Sequence, residues 1–83
     1  MSTPPMVQAG AEIRRARYAA GLTQRELARR IDVGVTFVSL LEIDKRQPSL
    51  ARLSTIAEAC QCSFVIDGSG VRTVEGACTV VRL

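Results

Sequence analysis

An apolar pattern that breaks once and then resumes is the most constraining feature of this chain. Over residues 22–42, apolar residues recur at helical spacing, lose the period at Asp32 and Val33, and then continue on the same period. Two short helices that meet at a tight corner explain this pattern. Asp32 lies at the corner, and Asp tolerates the left-handed backbone better than most residues other than glycine. Such a pair leaves the outer face of its second helix free to enter the DNA major groove.

Local signals mark where the two helices of this pair begin and which sides are buried. Thr23 and Glu26 have the spacing of a capping box, in which each side chain accepts a hydrogen bond from the other residue's backbone amide. The second helix of the pair is predicted to run from Gly34 or Val35 to Ile43. The inward positions of the two helices are predicted to be Leu27, Ala28, Ile31, Val38 and Leu41.

Two further helices are predicted on either side of the pair. One covers residues 8–20 and stops at Gly21. The other follows a polar loop and is capped by Ser49. The residues expected inside are Ala9, Ile13, Ala16, Tyr18 and Ala20 in the former, and Leu50, Leu53, Ile56, Ala57 and Cys60 in the latter.

The period of the apolar pattern changes to two after Gln61, which is typical of a strand. Gly68-Ser69-Gly70 interrupts this run before further β-prone residues. A two-stranded ribbon is marginal in water, so we expect its apolar face to pack on the helices or to pair with another chain. The sequence therefore predicts a flexible arm at 1–7, a helical domain at 8–62 and a β-prone extension at 63–83.

The distribution of charge favours a nucleic-acid partner more than the net charge does. The formal net charge is only +3, but nine of the eleven basic residues lie between Arg14 and Arg52, where the helix pair is predicted. The chain has no histidine and no Gly-rich phosphate-binding loop, so we expect neither an enzyme nor a cofactor. Three cysteines without histidine exclude a Cys/His zinc finger, and we expect no metal site.

Targeting signals are not apparent in the sequence. The first residues have neither the basic nor the apolar part of a secretion signal, and no apolar stretch approaches the ~20 residues that span a bilayer. We therefore expect a cytoplasmic protein without a membrane partner and with reduced thiols.

Four segments resemble the Cro and phage-repressor (XRE) family of helix-turn-helix proteins, in the same order along the chain. They are Ala-Gly-Leu-Thr-Gln-Arg-Glu-Leu-Ala (20–28), Phe-Val-Ser-Leu-Leu-Glu (37–42), Lys-Arg-Gln-Pro-Ser-Leu (45–50) and Ile-Ala (56–57). The resemblance covers about residues 8–64. It implies a mainly α, lambda-repressor-like DNA-binding domain of four to five helices with a short C-terminal β-strand or hairpin extension.

The resemblance also implies roles for individual residues. The DNA phosphates would be contacted by Gln24, Arg25, Lys45 and Arg46. A salt bridge between Arg17 and Glu42 would fix the angle of the recognition helix. The residues that approach base edges would be Gly34, Val35, Thr36, Ser39 and Leu40, while Phe37 would contact either the DNA backbone or the core. These recognition positions depart from the usual family pattern because they offer only two hydroxyls beside apolar groups, which suits thymine methyls.

The β-prone tail resembles that of HipB-type antitoxins, in which C-terminal strands of two subunits pair. Phe64, Val65 and Ile66 would then form the dimer contact, although a hairpin within one chain explains the same residues. We therefore expect a homodimeric, sequence-specific transcriptional regulator, most simply a repressor of a palindromic operator. The alternatives are an antitoxin that also binds a toxin, and a protein-interaction module without specific DNA binding.

Overall fold

The computed structural model describes residues 9–68, 70–76 and 78–83 and consists of four helices followed by three strands. The elements are α1 (Gly10–Ala19), α2 (Gln24–Arg30), α3 (Val35–Glu42), α4 (Leu50–Cys60), β1 (Cys62–Asp67), β2 (Gly70–Glu75) and β3 (Val80–Arg82). The described residues thus contain four helices, and the extension is a small three-stranded sheet. The predicted arm at residues 1–7 lies outside the described residues.

A single cluster of buried apolar side chains joins the four helices to the sheet. Val38 and Leu41 of α3 are fully buried, as is Phe64 of β1. The predicted inward residues of α2 and α3 are all confirmed as buried. The largest members of the cluster are Phe64, Ile13, Leu27, Leu41, Ile56 and Val38.

Three residues that were predicted to be inside face solvent instead. Tyr18 is 66% exposed and Leu50 is 44% exposed, and Ala20 is also exposed. In α1 the inward position beside Ala16 is taken by Arg17, which is 6% exposed because its guanidinium binds a buried carboxylate. Helical spacing therefore predicted the buried face of α1 correctly up to Ala16. In the last turn it predicted Tyr18 to be buried, whereas the buried residue is Arg17.

Residues in the left-handed backbone conformation form the corners between the helices. Gly21 has a φ of 73°, and the amide of Leu22 donates back to the Arg17 carbonyl, which ends α1. Asp32 has a φ of 62°, and the amide of Val33 donates to the Ala28 carbonyl at the end of α2. The left-handed conformation predicted for Asp32 is confirmed, and it sets α3 across α2.

β1 is the central strand of the sheet, whose order is β2-β1-β3. It pairs antiparallel with β2 and parallel with β3, so both of its edges are occupied within one chain. Of the two arrangements left open by the sequence, the structure therefore contains the one in which Phe64, Val65 and Ile66 pair within one chain. Phe64 is fully buried in the core, and Val65 and Ile66 are half-buried. β3 occupies the edge of β1 that a strand from a partner chain would need.

Hydrogen bonds connect the outer edge of β2 to helix α1. The backbone amide of Thr73 donates to Glu12 Oε1 at 3.0 Å, and the Thr73 hydroxyl donates to the same oxygen at 2.8 Å. Backbone donors on an edge strand are sites for pairing with other chains. The Glu12 carboxylate occupies one such donor, which leaves β3 as the more accessible edge of the sheet. Within the described ranges, none of the helices is long and apolar enough to cross a membrane.

Candidate nucleic-acid interface

The outer face of α3 is exposed along its first two turns. Gly34, Val35 and Thr36 are exposed, and Ser39 and Leu40 are half-buried. The Thr36 and Ser39 hydroxyls can each donate and accept a hydrogen bond, whereas Val35 and Leu40 offer only apolar contact. This face is therefore accessible, but it carries few side chains that can form hydrogen bonds.

The inner side of α3 ends in a buried ion pair. Arg17 Nε donates to Glu42 Oε2 at 2.6 Å and Arg17 Nη2 donates to Glu42 Oε1 at 3.0 Å, a bidentate contact. Arg17 Nη1 donates in addition to the Leu22 carbonyl at 3.0 Å. The side chain of Glu42 is completely buried and that of Arg17 is 7% exposed. The pair implied by the resemblance is thus present and joins α1 to the last residue of α3.

Two more side chains bind the same carboxylate. Gln24 Nε2 donates to Glu42 Oε1 at 3.1 Å, and Arg14 Nε lies 3.5 Å from that oxygen. Gln24 is the first residue of α2, so the carboxylate connects three helices. We call Arg14, Arg17, Gln24 and Glu42 the Glu42 network. Arg14 was not singled out from the sequence, although it lies three residues before Arg17, on the same side of a helix.

Glu42 and Arg17 both keep their charges at neutral pH. Burial alone raises the pKa of Glu42, but hydrogen bonds from Arg17 and Gln24 together with nearby positive charge outweigh it and leave the pKa lowered. The hydrogen bond to Glu42 raises the pKa of Arg17 despite its burial. A carboxylate at the C-terminal end of a helix is unfavourable to the helix dipole, so the two arginines also offset that interaction.

A close contact between backbones fixes the same end of α3 against the start of α1. The amide of Gly10 donates to Asp44 Oδ1 at 3.0 Å. A Cβ at Gly10 would lie 2.6 Å from the Glu42 carbonyl oxygen and 2.7 Å from that of Leu41. Sequence reasoning did not identify Gly10 or Asp44, since the two are 34 residues apart and only the fold brings them together.

The start of α2 carries the predicted capping box. The amide of Glu26 donates to the Thr23 hydroxyl at 3.0 Å, and the amide of Thr23 donates to Glu26 Oε1 at 2.8 Å. The backbone hydrogen bond from Thr23 lowers the pKa of Glu26. Both bonds fix the first turn of α2, and with it the position of Gln24.

Phe37 lies between the core and a pair of arginines. Its half-buried ring packs against the core cluster, which is one of the two contacts left open by the sequence. The guanidinium carbons of Arg46 and Arg52 lie 5.1 and 5.2 Å from the ring centre, within cation–π range. Arg52 also donates to the Ile31 carbonyl at 3.3 Å. No local sequence signal identifies Arg52, because its aromatic partner is in another helix.

Cationic side chains border the outer face of α3. Arg25, Lys45 and Arg46 are exposed, and in the described part of the chain no carboxylate lies within 4 Å of their charged groups. Arg25 and Val35 line a shallow hollow together with Ala28, Arg29, Asp32 and Val33. Arg25 therefore lies beside the outer face of α3, and Lys45 and Arg46 lie in the loop that follows this helix.

The cysteines give no sign of a chemical site. Cys60 and Cys62 are buried, Cys78 is half-buried, and all three are free thiols. Burial raises the pKa of Cys60 to about 11, and burial raises that of Cys62 as well, so both thiols stay protonated. Among residues 9–68, 70–76 and 78–83 there is no cluster of His, Cys, Asp or Glu that could hold a metal ion.

Comparison with known proteins agrees with this geometry. A family model described as helix-turn-helix matches residues 13–66, about two thirds of the chain. The matched segment begins within α1 and ends within β1, so it contains the helix pair, the Glu42 network and Phe37. No match to the chain was found among curated proteins. The family match places a DNA-binding domain type on the helices described above, and the chain belongs to the XRE family of Cro/C1-type helix-turn-helix proteins.

Proposed function

We propose that this protein is a sequence-specific, homodimeric transcriptional regulator that represses genes by placing α3 of each copy in the DNA major groove. The observation that carries the proposal is the exposed outer face of α3, bordered by Arg25, Lys45 and Arg46 and fixed from behind by the Glu42 network. A groove-reading helix needs both properties, since its outer face must be accessible and its angle must be set by the rest of the domain.

The backbone contacts are assigned to four side chains. Lys45 and Arg46 follow α3, and Arg25 lies in the first turn of α2, where cations neutralise phosphates without reading sequence. Gln24 stands at the N-terminus of α2, where helix amides attract anions. Its amide already donates to Glu42, so a phosphate bound by Gln24 would be coupled to the angle of α3.

Base readout is assigned to Gly34, Val35, Thr36, Ser39 and Leu40. Two hydroxyls and two apolar side chains cannot make the bidentate pairs by which arginine reads guanine or asparagine reads adenine. Apolar groups do contact the methyl group of thymine. We therefore propose an A·T-biased half-site whose discrimination depends partly on DNA shape.

Dimerisation is assigned to the outer edge of β3 rather than to β1. Val81 is 39% exposed and Leu83 is 80% exposed beside this edge. A second copy that adds its own β3 there would continue the sheet and cover both side chains. A two-fold dimer would place two copies of α3 one helical turn of DNA apart, roughly 34 Å, and would make the operator partly palindromic.

Selection of bound duplexes from a random DNA pool tests the proposal. We expect an enriched A·T-biased motif with two-fold symmetry and half-site centres about 10 base pairs apart. Gln24→Ala and Lys45→Ala are expected to weaken binding to that motif in a gel-shift titration. A pool that shows no enrichment over the input would contradict sequence-specific binding.

The apolar outer face of α3 favours one second candidate, a protein-interaction module that keeps the fold without specific DNA binding. Salt separates the two functions, because binding to DNA weakens steeply as salt rises whereas an apolar protein contact does not. A toxin-type partner belongs to this second candidate or to a regulator that does both. Stoichiometric copurification of one protein at high salt, with no duplex retained at low salt, would favour the interaction module.

A further inference from the structure

The ring of Phe37 brings together two guanidinium groups that lack acidic partners. Both guanidinium carbons lie within 5.2 Å of one ring centre, so they are no more than about 10 Å apart. That separation is comparable to the Debye length at ~0.1 M salt, so their repulsion is only partly screened. In the described residues, no carboxylate lies within 4 Å of either group.

The N-terminus of α4 adds to this positive charge. Arg52 lies in the first turn of α4, where no acidic residue is present and where a cation is unfavourable to the helix dipole. Ser49 satisfies the backbone amide of Arg52, but its hydroxyl supplies no negative charge. A helix terminus and two arginines therefore concentrate positive potential at a site that an anion would stabilise.

We propose that Arg46 and Arg52, held on Phe37, form one phosphodiester-binding unit for the DNA backbone beside α3. Arg52 is then a phosphate-contacting residue, and Phe37 is a positioning residue that restricts the two guanidinium groups before binding. The inference deepens the proposed function and rests on it. Placement favours this role, because Phe37 directly follows Thr36 on α3 and Arg46 lies in the loop that leaves the same helix.

The hydrogen bond from Arg52 to Ile31 connects this unit to the corner of the helix pair. Nη1 of Arg52 donates to the carbonyl of Ile31, the C-cap residue directly after α2. One side of the guanidinium is thus fixed by the protein, and its other N–H groups remain to bind an oxyanion. A preorganised fork of this kind loses less conformational entropy on binding phosphate than a free arginine does.

The test measures how the affinity for a DNA duplex depends on salt concentration. It compares the full chain with the Arg46→Gln and Arg52→Gln variants. Each substitution is expected to weaken binding about tenfold near 0.1 M salt and to reduce the slope of log affinity against log salt by ~0.9. Arg72→Gln is the matched control, because it removes the same charge from β2, where Arg72 faces Asp67 across 3.8 Å. An Arg52→Gln protein with the slope and affinity of the control would overturn the inference.

A second comparison tests the role of the ring. Phe37→Leu keeps an apolar side chain against the core, and it is expected to weaken duplex binding severalfold in the parent chain but not in Arg46→Gln/Arg52→Gln. An equal loss in both backgrounds would show that Phe37 acts through the core and would overturn its positioning role. Circular dichroism at the assay temperature verifies that each variant is folded.

Two further outcomes separate the possible explanations. Titration with inorganic phosphate, followed by NMR of the arginine side chains, distinguishes a free-anion site from a DNA contact. Saturable binding of inorganic phosphate with an unchanged duplex slope in Arg52→Gln would overturn the DNA assignment. A parent chain whose duplex binding does not depend on salt would refute the proposed function itself, whereas failure of Arg52→Gln alone refutes only this inference.

Discussion

The inner end and the outer face of α3 are built from opposite chemistry. At the inner end, the Glu42 carboxylate is completely buried and receives hydrogen bonds from Arg17 and Gln24. On the outer face, only Thr36 and Ser39 offer polar side chains. The inner end of α3 is therefore held by more polar interactions than its outer face has side chains to offer to bases. Specificity would then come from placement and DNA shape as much as from hydrogen bonds.

The largest expected effect is on the inner end. Glu42→Gln leaves the Arg17 guanidinium buried without its charged partner, and breaking a buried pair in this way costs about 3 to 5 kcal/mol. We expect the free energy of unfolding, measured by urea denaturation, to fall by that amount.

Glu58→Gln is the matched control for this substitution. Glu58 is an exposed residue of α4, so its replacement should change the free energy of unfolding by less than about 0.5 kcal/mol. Equal stabilities of the two variants would show that the Glu42 network is not a structural requirement.

The next effect concerns the contact between α1 and the end of α3. Gly10→Ala places a Cβ within 2.7 Å of two carbonyl oxygens of the backbone, which cannot rotate away as a side chain would. We expect a loss of about 1 to 3 kcal/mol in unfolding free energy from this overpacking. Gly68→Ala, with open space around the new Cβ, is the control and should be close to neutral. A stable Gly10→Ala variant would contradict the close approach.

Local signals in the sequence predicted the helical part of the fold well. The capping box at Thr23 and Glu26 forms because its two hydrogen bonds lie within four consecutive residues. The left-handed corner at Asp32 and the inward side of α3 likewise follow from local conformation and helical period. These features depend on neighbours in sequence, so a single sequence contains their physical causes.

Features that depend on distant residues were missed or misassigned. Gly10 is constrained by a carbonyl more than 30 residues away, and Arg52 by an aromatic ring on another helix. Phe64 was assigned to a dimer contact because period-two alternation does not reveal which strand lies at the centre of a sheet. The helical period alone assigned the inward position in α1 to Tyr18, whereas the burial of Arg17 depends on Glu42, which is 25 residues away in the sequence.

Low pH is expected to destabilise the contacts of Glu42 at the inner end of α3. The outer face should not respond to pH, because no ionisable side chain lies between Gly34 and Leu40. The folded-state pKa of Glu42 is lowered, so its contribution is complete above the unfolded pKa of about 4.3 and is lost as pH falls through the lower folded value. The backbone hydrogen bond from Thr23 lowers the pKa of Glu26 in the same way. Urea midpoints measured from pH 7 down to pH 2 should fall below about pH 5, and the fall should be shallower in Glu42→Gln. An identical pH profile in both proteins would contradict a lowered pKa.

The smallest expected effect is on the outer face. Thr36→Val removes one hydroxyl and keeps the shape of the side chain, so we expect a loss of about 1 kcal/mol in operator binding, or roughly fivefold in Kd. Thr55→Val, whose hydroxyl bonds the Ala51 carbonyl in α4, is the control and should leave affinity unchanged. Fluorescence anisotropy with a selected duplex measures both. A hundredfold loss in Thr36→Val would show that hydrogen bonding to bases dominates recognition after all.

The most direct test of the central claim measures the ratio of affinities for a selected duplex and for a scrambled one in Arg17→Lys. Lysine keeps the positive charge, but it cannot make the bidentate contact that fixes α3 against Glu42. We predict that the folded variant binds the scrambled duplex as the parent does, while its affinity for the selected duplex falls about tenfold. An unchanged ratio in a folded Arg17→Lys protein would contradict the claim that recognition depends on the fixed angle of α3.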